Sequence, residues 1–541
     1  MIKAIAKWFH RETSGLTAAA IIIGASALAA DIVGVLRDRS LAATFGAGNA
    51  LDAYYAAFRV PDFIYNLAIV GSLSAGFIPV FAQYLETRTS KEAWRVAEEV
   101  LSVVGACMAV LCFLLAVFAP IVVPLTVPGF SPEKTQLTIQ LARIMFLSPF
   151  FLGISAVMGG ILQATRRFIA FSIAPVAYNL GIIFGATVLA PRIGVVGVAW
   201  GVVLGALLHC LIQTVVAIRL GVRRIPWPSL KTEGVRRILK LMGPRTLGLA
   251  VSQLNLVVLL IFASGLSAGS VAVFNLANNL QGFPVSIIGI SFAVAAFPIL
   301  SKTAGRKDME GFKQALSSAA RKICFFILPF TALFFLLRAQ IVRLALGAGV
   351  FGWSDTIRTA TVLGIFVTSV LGQSLVPLLA RAFYALQDTW LPLWVGLIAE
   401  IVNMSLAYLL RGPFGISGLV VAFSVSTYVN MFLLLLLLRR KEGALGQGEF
   451  WRSFGVSLLA SLAIILVGYP VRQFFGTVFS LTTFLQVAIQ ACAAGAAGSL
   501  AFLCVAWLLK SEELVELWQE VHRRVFKRKP TIEGAEEAQN L

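Results

Sequence analysis

Charged side chains are scarce in this chain. Of 541 residues only 13% are Asp, Glu, Lys or Arg, about half the share found in soluble globular domains. That scarcity, with 59% hydrophobic residues and a mean hydropathy of +0.88, excludes a disordered chain, a fibrous repeat and an ordinary cytosolic enzyme. Histidine is scarcer still: His10, His209 and His522 lie far apart and form no metal-ligand spacing. The six cysteines, Cys107, Cys112, Cys210, Cys324, Cys492 and Cys504, all sit in apolar stretches with no C-x-x-C pair. Neither a zinc site nor a disulfide framework is indicated. The sequence has no Gly-rich loop ending in Lys and Ser or Thr and no H-E-x-x-H pair, so no nucleotide-driven or metal-dependent constellation is recognised. The expected class is a non-enzyme, without cofactor or metal, whose work comes from a coupling cation, the membrane potential or consumption of its product.

What the chain has in abundance is apolar runs of bilayer-spanning length. The expectation is an all-α polytopic membrane protein of about fourteen transmembrane helices. The spans are read at 14–37, 50–84, 97–127, 135–164, 168–190, 194–218, 239–264, 269–302, 319–346, 356–386, 390–410, 415–438, 453–470 and 482–509. The net charge of +19 belongs to the loops between these runs and follows the positive-inside bias; nucleic acid is not expected as a partner. With an even number of spans, the basic clusters Arg219 to Lys240, Lys302 to Lys322, Arg439 to Arg452 and Lys510 to Lys529 share one side. Both termini are therefore expected in the cytoplasm. Lys3, Lys7 and Arg11 before an apolar stretch ending Ala27-Leu28-Ala29 outline a secretory signal. That reading is set aside because removing the stretch would break the internal symmetry.

The symmetry comes from two matches. Ala75-Gly76-Phe77-Ile78-Pro79-Val80 resembles Ala295-Ala296-Phe297-Pro298-Ile299-Leu300, an offset of 219 from Pro79 to Pro298. Arg192 to Gly197 resembles Pro413 to Gly418, an offset of 221 from Gly194 to Gly415. Two six-helix lobes plus two C-terminal helices account for fourteen, a transporter design with its site between the lobes. The expected organisation is an amphipathic segment 1–13, an N-lobe 14–218, a basic linker 219–238, a C-lobe 239–438, two further helices in 453–509, and an amphipathic helix with an acidic tail in 510–541.

A charge at mid-bilayer costs about 2.5–3.5 kcal/mol on insertion scales, so each must face protein or water. Span 1 carries Asp31 and then Arg37, Asp38 and Arg39, read at its outer end; span 2 carries Asp52, Arg59 and Asp62. Arg37 and Arg39 have an alternative reading as interfacial anchors. The second half is polar but uncharged there: Arg245, then Ser252, Gln253 and Asn255 in span 7, and Asn275, Asn278 and Asn279 on one face of span 8. These amides suit sugar hydroxyls or a peptide; the competing reading is helix-to-helix hydrogen bonding. For His209 a hydrogen-bonded packing role is preferred to a proton relay.

Three stretches carry a family likeness: Gly34-Val35-Leu36-Arg37-Asp38, Phe45-Gly46-Ala47-Gly48, and Asp52-Ala53-Tyr54-Tyr55-Ala56-Ala57-Phe58-Arg59-Val60-Pro61. Further matches are Gly243-Pro244 with Gln253 and Asn255, Phe297-Pro298, and Phe383-Tyr384-Ala385-Leu386-Gln387-Asp388-Thr389. The chain resembles the MurJ (MviN) lipid II flippases of the multidrug/oligosaccharidyl-lipid/polysaccharide exporter superfamily. The resemblance implies a two-lobed flippase of the bacterial cytoplasmic membrane with a cationic cavity. It would move the undecaprenyl-pyrophosphate-linked peptidoglycan precursor to the outer leaflet by alternating access, for cell wall biogenesis. Partners would be the lipid-linked glycan, membrane lipids and cell-wall synthesis enzymes, with the chain itself a monomer.

Candidate substrate-binding residues are Arg37, Arg59, Arg245, Gln253, Asn255, Asn275, Asn278 and Asn279; Asp31, Asp38, Asp52 and Asp62 would orient the arginines or bind a coupling cation. This chain departs from the family where it has Ala30-Asp31, Tyr65-Asn66, Val70-Gly71-Ser72 and Leu276-Ala277-Asn278-Asn279, positions at which the family carries further charges. Alternative readings are a flippase for another polyprenyl-linked oligosaccharide, a multidrug or cation antiporter of the same superfamily, and a non-transporting scaffold for envelope enzymes.

Overall fold

The computed structural model describes residues 16–66, 73–443 and 447–526. The amphipathic start at 1–13, the tail beyond 526, residues 70–72 and the side chains of Arg245 and Ser252 lie outside the described residues. Among the described residues the fold is helical, without strands. The elements are α1 (Leu16–Phe45), α2 (Asn49–Tyr65), α3 (Leu73–Thr87), α4 (Ser90–Val117), α5 (Ala119–Thr126), α6 (Pro132–Ala164), α7 (Phe168–Ile193) and α8 (Val195–Leu220). They continue with α9 (Glu233–Ser264), α10 (Ser270–Gly305), α11 (Met309–Leu346), α12 (Trp353–Ala385), α13 (Trp390–Glu442), α14 (Gln447–Val478), α15 (Phe484–Leu508) and α16 (Glu512–Phe526). Ten of the described helices are long and apolar enough to cross a bilayer. The protein is a multi-pass membrane protein.

Proline and glycine punctuate these helices as their chemistry requires. Pro284 has no N–H to donate, and the ladder slips to i+5 bonding over Val285–Ile290 immediately after it. The 53-residue α13 is interrupted at Gly415, with φ 56° and ψ −134°. Gly194, which ends α7, has nearly the same backbone, φ 63° and ψ −152°. A Cβ is disfavoured in that region, so the two glycines that the sequence aligned make the same kind of break.

Two compact units emerge. The first comprises 1–283, 342–366 and 396–426; the second comprises 284–341, 367–395 and 427–541. In the first, α7 and α8 approach backbone to backbone through Gly181, Gly185, Gly201 and Gly205, where an added Cβ on Gly181 would fall 2.3 Å from the Gly205 Cα. This is the small-residue packing of membrane helices, which lack a hydrophobic drive to associate. Its core also holds Phe77, Phe81, Val157 and Ile161. The second packs Ile323, Leu378, Phe383 and Leu434 in one cluster and Leu336, Ile464 and Phe502 in another.

Several boundaries differ from the sequence expectation: α11 begins at Met309 and not at 319, α14 ends at Val478 and not at 470, and the first span is the one that bears on the site. The first span was read as ending at residue 37, where charge begins, but α1 runs on to Phe45, about two turns further. The charges there have partners within the protein, Asn179 for Arg37, Asn279 for Asp38 and Leu344 O for Arg39, so the helix continues through them.

Candidate functional site

Most of the polar side chains singled out from the sequence fall within the first unit. Arg37 on α1 lies against its neighbour Asp38: its Nε and Nη2 donate to Asp38 Oδ1 at 2.9 and 2.8 Å. Its Nη1 donates to Asn179 Oδ1 on α7 at 3.0 Å. The second oxygen of Asp38 accepts from Asn279 Nδ2 on α10 at 2.9 Å. Asp38 is buried while the Arg37 side chain keeps 24% exposure. The carboxylate therefore orients the guanidinium by two charge-assisted bonds and leaves part of it accessible. Arg39 is bonded to protein as well, its Nη1 donating to Leu344 O at 2.6 Å.

Arg59 on α2 forms a second cluster. Its Nη2 donates to Asn275 Oδ1 at 3.1 Å, and its Nη1 lies 3.8 Å from Asp62 Oδ2. Asn66 Nδ2 donates to Asp62 Oδ1 at 3.0 Å. The 3.8 Å separation is beyond hydrogen-bond length, and of the five N–H donors of a guanidinium one is firmly used among the described residues. Asn275 and Asn279 are four residues apart, so the two arginine clusters address adjacent turns of one face of α10, about 6 Å apart along its axis. Asn278 accepts from Gln281 Nε2 at 3.1 Å and contacts neither arginine cluster.

Asp52 is apart from both. It is 1% exposed, and its oxygens accept from Lys134 Nζ at 2.7 Å, from the Gly269 N–H at 2.7 Å and from the Ala272 N–H at 2.8 Å. Gly269 precedes and Ala272 opens the first turn of α10, so a carboxylate from α2 caps α10 where the helix dipole is positive. Lys134 is further held by Asn49 Oδ1 at 3.0 Å and the Phe130 ring at 3.9 Å. Nearby, the Val350 N–H donates to Ala43 O and Arg358 donates to Ala268 O. The start of α2, the start of α6 and the loop before α10 are thereby tied together at one end of the first unit.

The remaining candidates disperse. Asn255 is buried on α9 and accepts from Asn403 Nδ2 at 2.9 Å, a bond between two helices. Gln253 Oε1 is buried without a partner among the described residues. Asp31 is exposed. Gly265-Leu266-Ser267-Ala268-Gly269 has the spacing of a hydrolase nucleophile elbow. It joins two helices, however, and Ser267 is bonded to Ser270 and Arg358, without the strand–turn–helix setting or the histidine that a nucleophile requires.

Sequence reasoning passed over Lys134, Asn179 and Asn403. Asn179 and Asn403 carried a usable signal, each a lone amide in an apolar run. Lys134 follows Ser131-Pro132-Glu133, which reads as a loop. His209 bonds through Nδ1 to Ser155 Oγ at 2.7 Å. It also lines a cavity of about 130 Å³ together with Phe58, Asp62, Tyr65 and Tyr178.

The chain's likeness to known proteins is extensive. Residues 41–490 match the family described as lipid II flippase MurJ. Among curated relatives, the probable lipid II flippase MurJ of Bdellovibrio bacteriovorus is 30% identical over 454 residues, 83% of this chain and 86% of that protein. The lipid II flippase MurJ of Burkholderia cenocepacia is 27% identical, covering 83% of this chain and 88% of its own. A solved lipid II flippase MurJ in an inward closed conformation shares the fold with a TM-score of 0.74 and 22% identity, over 92% of this chain and all of that one. An inward-facing multidrug transporter of the MATE family matches with a TM-score of 0.66 and 18% identity, over 77% and 96%. With a family match spanning most of its length and a polar cluster on the family's own Arg-Asp motif, the chain belongs to the MurJ family of lipid II flippases.

Proposed function

We propose that the chain moves lipid II, the undecaprenyl-pyrophosphate-linked peptidoglycan precursor, from the inner to the outer leaflet of the bacterial cytoplasmic membrane by alternating access. The observation that carries this reading is the pair of guanidinium groups, Arg59 bonded to Asn275 and Arg37 bonded to Asp38, which Asn279 of the same helix holds, with N–H donors left over among the described residues. Guanidinium geometry matches phosphate oxygens two at a time, and two such groups suit the two phosphates of a pyrophosphate. In this reading α1–α8 and α9–α13 form the two lobes, α14 and α15 complete fourteen spans, and both termini are cytoplasmic. The Asp52–Lys134 junction would then lie at the outer end and hold it closed while cargo enters from the inner leaflet. A coupling cation or the membrane potential would reset the cycle, with cell-wall synthesis enzymes receiving the product from a monomeric transporter.

The decisive experiment is complementation of a strain depleted of its own flippase. Wild type restores growth, and Arg59→Ala abolishes lipid II translocation while still reaching the membrane. Undiminished flipping by that variant refutes the role given to Arg59. A cation antiporter of the same superfamily is the second reading, favoured only by the likeness to the MATE fold. Thermal stabilisation of the purified protein by a cationic dye, and none by a lipid-linked sugar, would establish it.

A further inference from the structure

The cavity of about 130 Å³ in the first unit has no part in holding phosphate, yet it begins where the phosphate would end. Asp62 lines it, and the same carboxylate stands 3.8 Å from Arg59 Nη1. In a polyprenyl-pyrophosphate glycan the first sugar is attached through a single bridging oxygen. When Arg59 holds the phosphate, that sugar ring must come to rest beside Asp62.

Size and chemistry agree with such an occupant. An enclosed cavity of about 150 Å³ holds a benzene molecule; this one, slightly smaller but partly open, takes the face of a single six-membered ring and not a disaccharide or a peptide. Phe58, Tyr65 and Tyr178 offer aromatic surface to the C–H face of a pyranose. Convergent polar groups set among such apolar walls are how ligand pockets fix orientation. Asp62 Oδ2 has no hydrogen bond among the described residues, and Oδ1 accepts only from Asn66. Carboxylate oxygens accept two bonds each, so acceptor capacity remains for a hydroxyl or an acetamido N–H. His209 is fixed through Nδ1 by Ser155, which leaves its Nε2 for a second polar group.

We infer that this cavity is the subsite for the first sugar ring of the lipid-linked glycan, with Asp62 as its principal polar contact. The inference rests on the flippase reading above. It makes the sugar next to the pyrophosphate, and not the distal sugar or the peptide, the part that is recognised by shape.

The test compares binding of three lipids to the purified full-length protein in nanodiscs: undecaprenyl pyrophosphate, the same lipid bearing one N-acetylated amino sugar, and lipid II. Wild type should bind the one-sugar lipid about tenfold or more tightly than the sugar-free lipid, the gain of one hydrogen bond to a charged group with its packing. The second sugar should add little. Leu152→Trp, which fills the cavity from its wall, should erase that preference and leave sugar-free binding within twofold, which also reports a folded protein. Asp62→Asn changes no volume and should lose the same preference. Equal binding of the three lipids by wild type, or a full preference surviving in either folded variant, overturns the subsite. If wild type binds none of them, the flippase reading itself falls, a result distinct from the loss of sugar preference alone.

Discussion

Replacing Asp52 by Asn should unlock one end of the first unit. The side chain is 1% exposed and takes three donors, Lys134 Nζ at 2.7 Å, Gly269 N at 2.7 Å and Ala272 N at 2.8 Å. Asparagine keeps the shape but has one acceptor oxygen and one donor nitrogen in place of two acceptors. Whichever way the amide turns, an N–H faces another N–H. Lys134, 12% exposed, is left without its anion, and removing one partner of a buried pair costs about 3–5 kcal/mol. Asn49 and the Phe130 ring hold Lys134 in both forms, so they do not offset that loss. At the lower figure, about 3 kcal/mol, and about 1.4 kcal/mol per factor of ten, the closed-to-open ratio at this end falls about 100-fold.

Spin labels at Glu133→Cys and Ala268→Cys, two exposed positions flanking the junction, read that ratio by pulsed electron–electron resonance in nanodiscs. The unmodified junction gives one short distance. With Asp52→Asn a second, longer population should appear at comparable weight, and lipid II translocation should fall with it. One short, unbroadened distance in a variant that melts like wild type would refute the assignment of Asp52 as the closing contact.

Two further outcomes concern stability. Gly181→Ala sets a Cβ 2.3 Å from the Gly205 Cα, against backbone that cannot yield. Overpacking of that kind costs about 1–3 kcal/mol or more and should lower the melting temperature in detergent. Gly282→Ala has open space around it and should leave melting unchanged or raise it slightly. At the α12–α13 turn, Asp388 accepts from Lys441 Nζ at 2.9 Å and from the Leu391 N–H at 3.2 Å, and these bonds, led by the one from Lys441, hold its carboxyl below the usual carboxylate range. A depressed folded-state pKa stabilises the protein above the unfolded pKa of about 3.9 and loses that contribution as pH falls through the lower folded value. The melting difference between wild type and Asp388→Asn should therefore be constant at pH 6 and shrink below about pH 4; a difference that grows on acidification contradicts the pairing.

The charges and amides were legible in the sequence because the bilayer makes them so costly. Arg37, Asp38, Arg59, Asp62, Asn275 and Asn279 stand out as polar residues in apolar runs, and a group that cannot meet water must find a partner. Which partner was not legible. Asn179 is 142 residues from Arg37 and Asn403 is 148 from Asn255, separations that helical periodicity does not encode. The same blindness shortened α1: the expected span stops at residue 37, because nothing along the chain shows that Asn179, Asn279 and Leu344 O bond Arg37, Asp38 and Arg39. Nor does a cavity have a linear signature. Its walls come from four helices, α2, α6, α7 and α8, and from Pro61, Pro149 and Pro175, each an ordinary bend when read along the chain.

The charge balance at this site gives the departures from the family pattern a physical meaning. Among the described residues Arg37 faces Asp38 and Arg59 faces Asp62, so each guanidinium has a carboxylate beside it. Asn279 satisfies Asp38 with a neutral amide. A pyrophosphate entering here meets guanidinium groups already shared with carboxylates, so it gains less from Coulomb attraction than it would in a cavity of unpaired arginines. Affinity must then come from contacts beyond the phosphate. Asp62 both weakens the pull of Arg59 on an anion and lines the cavity beside it, so charge taken from the phosphate site is charge available to a sugar. On this reasoning the ratio of one-sugar to sugar-free binding should vary little with ionic strength, because the sugar ring held by Asp62 and the aromatic faces is itself uncharged. Total affinity should still fall with salt as far as Arg37 and Arg59 contribute.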